Sequence, residues 1–445
     1  MTDPIKHVVV LMLENRSFDH MLGALTAVYP QLEGVPQRQT LPRLNSGVPQ
    51  LSNTAQVLNP GPMHDYANVM RQTANDCGGF IDDYRASFDN TSQAQWAAVM
   101  GYYRLDFLPV LHTLARNGLV CDHWFSSMPG PTWPNRFFVH SGTSQGKVSM
   151  PDVNNPDFHI YDQDTVYDRL AAKQIPWRIY HHGLPQSLVL THQWQYANHY
   201  SEFGNFSSDA QGAASDFPAY CFIEPDYSGQ DENDQHPPSN VMNGEALIAN
   251  VYNALRSNEA LWNETLFIVL YDEHGGFYDH VVPLATVAPD DKRDGSGFNF
   301  DQYGPRVPAL LLSPWIDPGV AADVFDHTSI LRYLCDKWDL APLGQRAATA
   351  NSFARYVRSS GSPRALPAHI APPAASSAVF SDNSHDNALC AFARVLDAKL
   401  AAHPGHTAAV ASRAVADGSP ESLPIDLAKA RFRAFLKAWP SRAAP

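Results

Sequence analysis

The sequence predicts an α/β protein built on a largely parallel central sheet. Two observations carry this: short, strongly apolar runs alternate with stretches of helical periodicity, and no repeat or heptad pattern interrupts that alternation. At 445 residues, with 44% hydrophobic and 11% aromatic content, the chain can bury a large core.

The expected strands are His7 to Leu13, Leu119 to Ser126, Trp177 to Tyr180, Leu266 to Tyr271 and Val307 to Leu312. Such uninterrupted apolar runs suit strands covered on both faces. Helices are expected at Leu108 to Asn117, with Pro109 in its first turn and Gly118 past its end, at Gly244 to Arg256, and at Ser329 to Trp338. Two long stretches rich in Pro, Asn, Gln and Ser, Gln31 to Pro62 and Ser201 to Ser239, read as loops. Residues 1–358 are expected to form the main domain and 359–376 a Pro/Ala/Ser linker. Residues 377–445 are expected to form a helical C-terminal extension, with helices near Asn387 to Ala402 and Pro424 to Trp439.

The formal charge of −14 disfavours nucleic acid as a partner, and no basic stripe argues for a nuclease. Five scattered cysteines, with no C-x-x-C pair, suggest core thiols rather than a disulfide framework or a zinc ribbon. No run of 18 apolar residues and no export signal is visible. The expectation is a soluble protein, cytoplasmic if Met1 is the native start and secreted or periplasmic if a leader was trimmed.

In open parallel sheets, ligands bind beyond the carboxyl ends of the strands. The first strand ends in Glu14-Asn15, the strand LFIVLY in Asp272-Glu273-His274, and the strand WRIY in His181-His182. A lone carboxylate after a strand is usually a turn former or helix cap. Two acid-containing pairs closing two buried strands concentrate like charge, which a divalent cation would neutralise. Oxygen and imidazole donors suit calcium, zinc, manganese or magnesium without distinguishing them.

Thr132 lies in a stretch stiffened by Pro129, Pro131 and Pro134, and a fixed hydroxyl beside a cation can act as a nucleophile. Arg136 follows it, either to clamp an anion or to pair with Asp122. His64 and His236 sit in turn sequences, and on chemistry alone each is as apt to be an ordinary surface polar group as to face the site. Gly142 to Gly146 spells G-x-S-x-G, but no helix pattern follows it, so a serine-esterase elbow is disfavoured.

These motifs resemble those of the bacterial phosphoesterase family of phosphatidylcholine-preferring phospholipases C and acid phosphatases, within the alkaline-phosphatase-like superfamily. The carriers are ENRSFDH at Glu14 to His20, PGPTWPNR at Pro129 to Arg136, NDQHPP at Asn233 to Pro238, YDEHGGFYDHV at Tyr271 to Val281 and YGPRVPALLLSPW at Tyr303 to Trp315. The resemblance implies an alkaline-phosphatase-like three-layer sandwich. It also implies one divalent metal held by Glu14, Asn15, Thr132, Asp272 and Glu273, with Thr132 as nucleophile and Asn15 and Arg136 at the substrate. His64, His181, His182 and His236 would line the phosphate pocket. The expected activity is phosphodiester cleavage of the phospholipase C type on a phospholipid or phosphocholine ester through a phosphothreonine; no protein partner is implied. An acid phosphatase and a catalytically silent binding protein are the alternatives. Tyr84, Trp133 and Tyr227 are candidates for an aromatic cage around a quaternary amine.

Overall fold

A computed structural model describes residues 3–35, 45–150, 161–229, 232–374, 392–396 and 425–439. Ten strands occur among them: β1 His7–Leu13, β2 Ser52–Asn53, β3 Tyr102–Tyr103, β4 Leu119–Cys121, β5 Trp177–His181, β6 Tyr200–Glu202, β7 Tyr220–Glu224, β8 Thr265–Tyr271, β9 Ala309–Leu312 and β10 Gly319–Ala321. Eight form one sheet in the order β10-β4-β9-β8-β1-β7-β5-β6, and β2 pairs with β3 apart from it. All neighbours in the large sheet are parallel except β9, which runs antiparallel to both β8 and β4. Helices cover both faces: Thr132–Ser141 packs with Thr328–Trp338, and Val241–Arg256 with Phe206–Gln211 and Glu259–Trp262. The result is the three-layer, mostly parallel α/β architecture expected.

Every residue of β1 and β8 is buried, and the pair is in register from His7 opposite Thr265 to Leu13 opposite Tyr271. Each fully buried aliphatic side chain contributes roughly 2 kcal/mol. A one-residue slip would disrupt every facing contact, so the register is tightly specified. It sets Glu14 and Asp272 side by side, each one residue beyond its strand.

Three expectations needed correction. The stretch 201–239 is not a loop throughout, because it contains β7, the immediate neighbour of β1. The short strand YCFIE, four apolar residues and a glutamate, lies between Pro218 and Pro225 and is hidden by its polar surroundings. Strand β4 stops at Cys121 rather than Ser126, with Trp124 and Phe125 making isolated bridges beyond it. Thr132–Ser141 is a helix rather than a stiff loop: Pro131 is its N-cap and Pro134 falls in the first turn, where its missing N–H costs nothing. The GTSQG motif therefore follows a helix, with Gly142 as its left-handed C-cap, and has no strand before it.

The helix at 111–117 starts later than expected and the helix at 241–256 earlier, with Asn240 capping the latter by accepting from Met242 N. Residues 359–374 hold no helix or strand, yet they are anchored: Tyr252 Oη and Arg256 Nε donate to Pro367 O, and Ile370 N donates to Asn253 Oδ1. The helix Ile425–Ala438 is present. The expected helix at 387–402 falls outside the described residues except for 392–396, which are helical. Cys77, Cys121, Cys221 and Cys335 are free and buried. No helix among the described residues is long and apolar enough to cross a membrane.

A buried carboxylate away from the strand ends gives a first prediction. Glu245, fully buried, accepts from Val110 N and Leu111 N, and burial raises its pKa to about 7. Because the folded-state value lies above the unfolded one, this group favours folding most at low pH. The benefit is lost as pH rises from about 4.5 to about 7. Glu245→Gln keeps an acceptor without the charge, so at pH 8 it is expected to stabilise the fold by on the order of 2 kcal/mol. Urea titrations at pH 5 and pH 8 test this; an equal effect at both would refute it.

Candidate active site

The parallel strands deliver their C-terminal ends to one edge of the sheet. Glu14, Asn15, Asp272 and Glu273 all have zero exposure there. Asn15 takes φ +59°, a left-handed turn that asparagine tolerates, and its N–H donates to Asp272 Oδ1 at 3.0 Å. Glu273 N also donates to that oxygen at 2.6 Å, and His327 Nε2 donates to Asp272 O at 2.6 Å.

The helix Thr132–Ser141 points its N-terminus at this group. Asn135 locks the entry loop by accepting from Met128 N and donating to Gly130 O and Pro131 O. Thr132, the first helical residue and only 2% exposed, donates from Oγ1 to Asn15 Oδ1 at 3.2 Å. The amide Nδ2 of Asn15 lies 3.1 Å from His64 Nε2, and the His64 and His236 rings meet edge to face at 5.4 Å. His64 is fixed by Pro62 O at its Nδ1, and His236 by Pro237 O. Thr132, Asn15, His64 and His236 thus form a continuous chain that starts at the buried hydroxyl.

Arg136, one turn into the helix and 1% exposed, faces inward. Its Nε lies 3.3 Å from both Glu14 Oε1 and Asp272 Oδ2, and its Nη2 donates to Met12 O and Leu13 O. It makes no pair with Asp122, whose carboxylate binds His123 Nδ1 and Glu33 N instead.

One guanidinium does not balance this group. Burial first, and mutual repulsion after it, raise the carboxyls of Glu14, Asp234, Asp272 and Glu273; Asp272 reaches about 7 and Glu273 about 8. Burial opposes protonation of His64, but Glu273, Asp65, the Pro62 carbonyl and Asp272 together raise its pKa. Glu273 Oε1 and Asp234 Oδ2 are buried without a hydrogen bond. Excess buried negative charge, orphaned carboxylate oxygens and a nearby amide and hydroxyl are the donors a divalent cation takes. Glu14, Asp272 and Glu273 are not among the tightest acidic sets. Among the described residues, the groups with ligand atoms within 4.8 Å of one another are Asp19–Asp279–His280 and Asp164–Asp168–His192. Both are already bridged internally, the first by Arg306 and the second by a helix-capping network around Thr165.

His181 and His182 do not join the Thr132 chain. His181 is held by Gly183 O and packs against Tyr200 and Phe432 of the C-terminal helix; His182 contacts Glu224 O and stacks on Phe203. Burial lowers the pKa of both, His181 to about 4. The aromatic-cage candidates are committed elsewhere too. Tyr84 donates to Pro60 O, Tyr227 donates to Glu224 and lies over Arg136, and Trp133 is fully buried against Phe392.

Several supporting residues had no sequence signal of their own. Gln186 Nε2 donates to Glu14 Oε1 at 2.6 Å and is itself positioned by Glu224, at the end of the unrecognised β7. Gln72 accepts from His274 Nε2 and donates to Met63 O, tying the His64 loop to the strand-end motif. Arg306 joins Asp19, Asp279, Glu33 O and Asp122 O, which binds three of the motifs together. Its place in the YGPRVP motif was the available clue.

Gly275 supports the Asn15 turn by its lack of a side chain. At φ +64°, a Cβ would lie 2.2 Å from Asn15 O. Gly275→Ala is expected to displace Asn15 and reduce kcat at least about tenfold, with a destabilisation of about 1–3 kcal/mol. Parallel kinetics and thermal melts check this, and unchanged kcat would show that the turn does not position the site.

A family model described as the phosphoesterase family matches residues 5–341. Non-specific phospholipase C6 of Arabidopsis thaliana is 36% identical over 391 residues, covering 81% of this chain and 74% of the relative. Hemolytic phospholipase C of Pseudomonas aeruginosa is 29% identical over 390 residues, covering 74% of this chain and 52% of the relative. Among solved structures, a protein of the alkaline phosphatase superfamily from Vibrio parahaemolyticus is similar over 79% of this chain and 72% of its own, with TM-score 0.38 and 11% identity.

Proposed function

Because the chain belongs to the phosphoesterase family and is a phosphoric-ester hydrolase, we propose that it is a metal-dependent phosphodiesterase of the phospholipase C type. The observation that carries this reading is the Thr132 hydroxyl, set at a helix N-terminus 3.2 Å from Asn15 Oδ1 among buried carboxylates that one guanidinium does not neutralise. The phospholipase names of the relatives support a phospholipid-type diester as substrate.

Glu14, Asn15, Thr132, Asp272 and Glu273 would hold one divalent ion. Bound there, the ion supplies Lewis acidity and offsets negative charge. Thr132 Oγ forms the bond to phosphorus as the bond to the leaving alcohol breaks, giving a phosphothreonine. The hydroxyl proton passes to solvent on attack, and the departing alkoxide takes a proton from an imidazole, His236 in first place and His64 in second; the imidazole regains one from the water of the next step. Water then attacks phosphorus, frees the phosphomonoester and restores the threonine hydroxyl. Asn15 holds Thr132 in line. Arg136, turned toward Glu14 and Asp272, acts on the carboxylates rather than reaching the substrate.

The test is hydrolysis of p-nitrophenyl phosphorylcholine and p-nitrophenyl phosphate in parallel, with and without chelator. Faster turnover of the choline diester, lost with chelator and restored by a divalent ion, is the expected result. Preference for the monoester would make the protein an acid phosphatase, and chelator-resistant turnover would remove the metal from the reading.

A further inference from the structure

The C-terminal helix Ile425–Ala438 lies apart from the Thr132 centre, yet one of its side chains reaches the loop that carries His236. Ala428, Phe432 and Phe435 are buried; Phe432 meets the His181 ring, and Phe435 and Trp439 meet Trp194. Docked in this way, the helix aims Lys429 at the exit of β7. All three ammonium donors are used there: Lys429 Nζ lies 2.7 Å from Asp226 Oδ1, 3.0 Å from Asp226 Oδ2 and 2.8 Å from Ser228 O. The Lys429 side chain is 13% exposed and that of Asp226 10%, so water competes little for the pair.

We propose that Lys429 is a positioning residue for His236, an inference that rests on His236 as the acid for the departing alkoxide. From Asp226 the connection runs in two steps. Asp226 N donates to Asn233 Oδ1 at 2.8 Å and Asn233 N donates to Asp226 O at 3.0 Å, which clasps the loop at its two ends. The next residue, Asp234, accepts at its carbonyl from Glu14 N and at Oδ1 from His236 N, both at 2.8 Å. Fixing Asp226 therefore fixes the path of the backbone that presents the imidazole.

Lys429→Met takes the cation away from a largely buried carboxylate, and Asp226 must then turn toward water or draw water in. Either change loosens the clasp on Asn233. The inner side of the loop keeps its own anchor, because Arg16 Nε donates to Gln235 O at 2.9 Å, so the loop shifts rather than unfolds. A general acid works only within hydrogen-bond reach of the leaving oxygen, and a misplacement of about 1 Å can cost on the order of a hundredfold. The loss is selective for the leaving group. p-Nitrophenolate is a weak base that departs unprotonated, whereas the alkoxide of a diacylglycerol is strongly basic and needs the proton in the transition state.

The experiment measures kcat of the full chain on phosphatidylcholine in mixed micelles and on p-nitrophenyl phosphorylcholine, for the parent, Lys429→Met, Lys429→Arg, Arg433→Met and His236→Gln. Lys429→Met is expected to slow the lipid at least about tenfold and the nitrophenyl ester by less than about twofold. Lys429→Arg should recover most of the lipid rate. Arg433, on the same helix, pairs with Glu202 instead, and Arg433→Met should leave both rates at the parent's level. Asp226→Asn, uncharged and of the same shape, approaches the same link from the other side and should show the same split even if Lys429→Met fails to fold. If His236→Gln shows the split while the Lys429 and Asp226 variants slow both substrates equally, or neither, the proposal is overturned and His236 stays as the acid. If His236→Gln shows no split, the acid assignment falls and the proposal falls with it.

Discussion

Thr132→Ala is expected to abolish turnover of both p-nitrophenyl esters, by on the order of 10⁴-fold or more, as loss of a nucleophile does elsewhere. The hydroxyl's hydrogen bond is to Asn15, and the side chain caps no helix, so the fold should survive the change. Circular dichroism and a melting curve close to the parent's are expected alongside the loss. Thr132→Ser keeps a hydroxyl on the same helix turn and is expected to retain most of the rate. Rapid quenching with substrate should trap phosphate on residue 132 in the parent and the serine variant, read by peptide mass spectrometry. Substantial turnover by the alanine variant would rule out the phosphothreonine route.

Arg136→Met separates two roles for the arginine. As it stands, the guanidinium lies 3.3 Å from carboxylates on both β1 and β8 and donates to two backbone carbonyls of β1. Removing it takes the guanidinium away from two buried carboxylates, and breaking a buried ion pair typically costs about 3–5 kcal/mol. A large fall in the urea midpoint is expected in chelator-treated protein, with partial recovery when a divalent ion is restored. A substrate clamp would behave differently: KM would rise while the midpoint stayed put. That second pattern would return Arg136 to the substrate.

Much of the fold was legible because its signals are local. β1 was read residue for residue from an apolar run bounded by a lysine and a glutamate. β8 was read to within one residue. β7 was missed because four apolar residues between prolines, inside a polar stretch, are too short for periodicity to register. The helix beginning at Thr132 was hidden by its three prolines, which read as loop formers yet sit before the helix or in its first turn.

The candidate site shows the same division. Acids and an amide at the ends of buried parallel strands had to reach one edge of the sheet, since parallel strands share direction. From that alone the sequence determined that Glu14, Asn15, Asp272 and Glu273 would meet. It could not separate His64 and His236, which reach Asn15 and each other, from His181 and His182, which pack against Phe432 and Phe203. Nor could it show that Arg136 turns toward Glu14 and Asp272 rather than Asp122. Those placements were decided by the tertiary structure, because they depend on pairings between separate elements, such as Arg136 with Glu14 and His181 with Phe432. Such pairings are settled by which groups share a desolvated space, where an unpaired charge is expensive, and no local pattern in the chain encodes that.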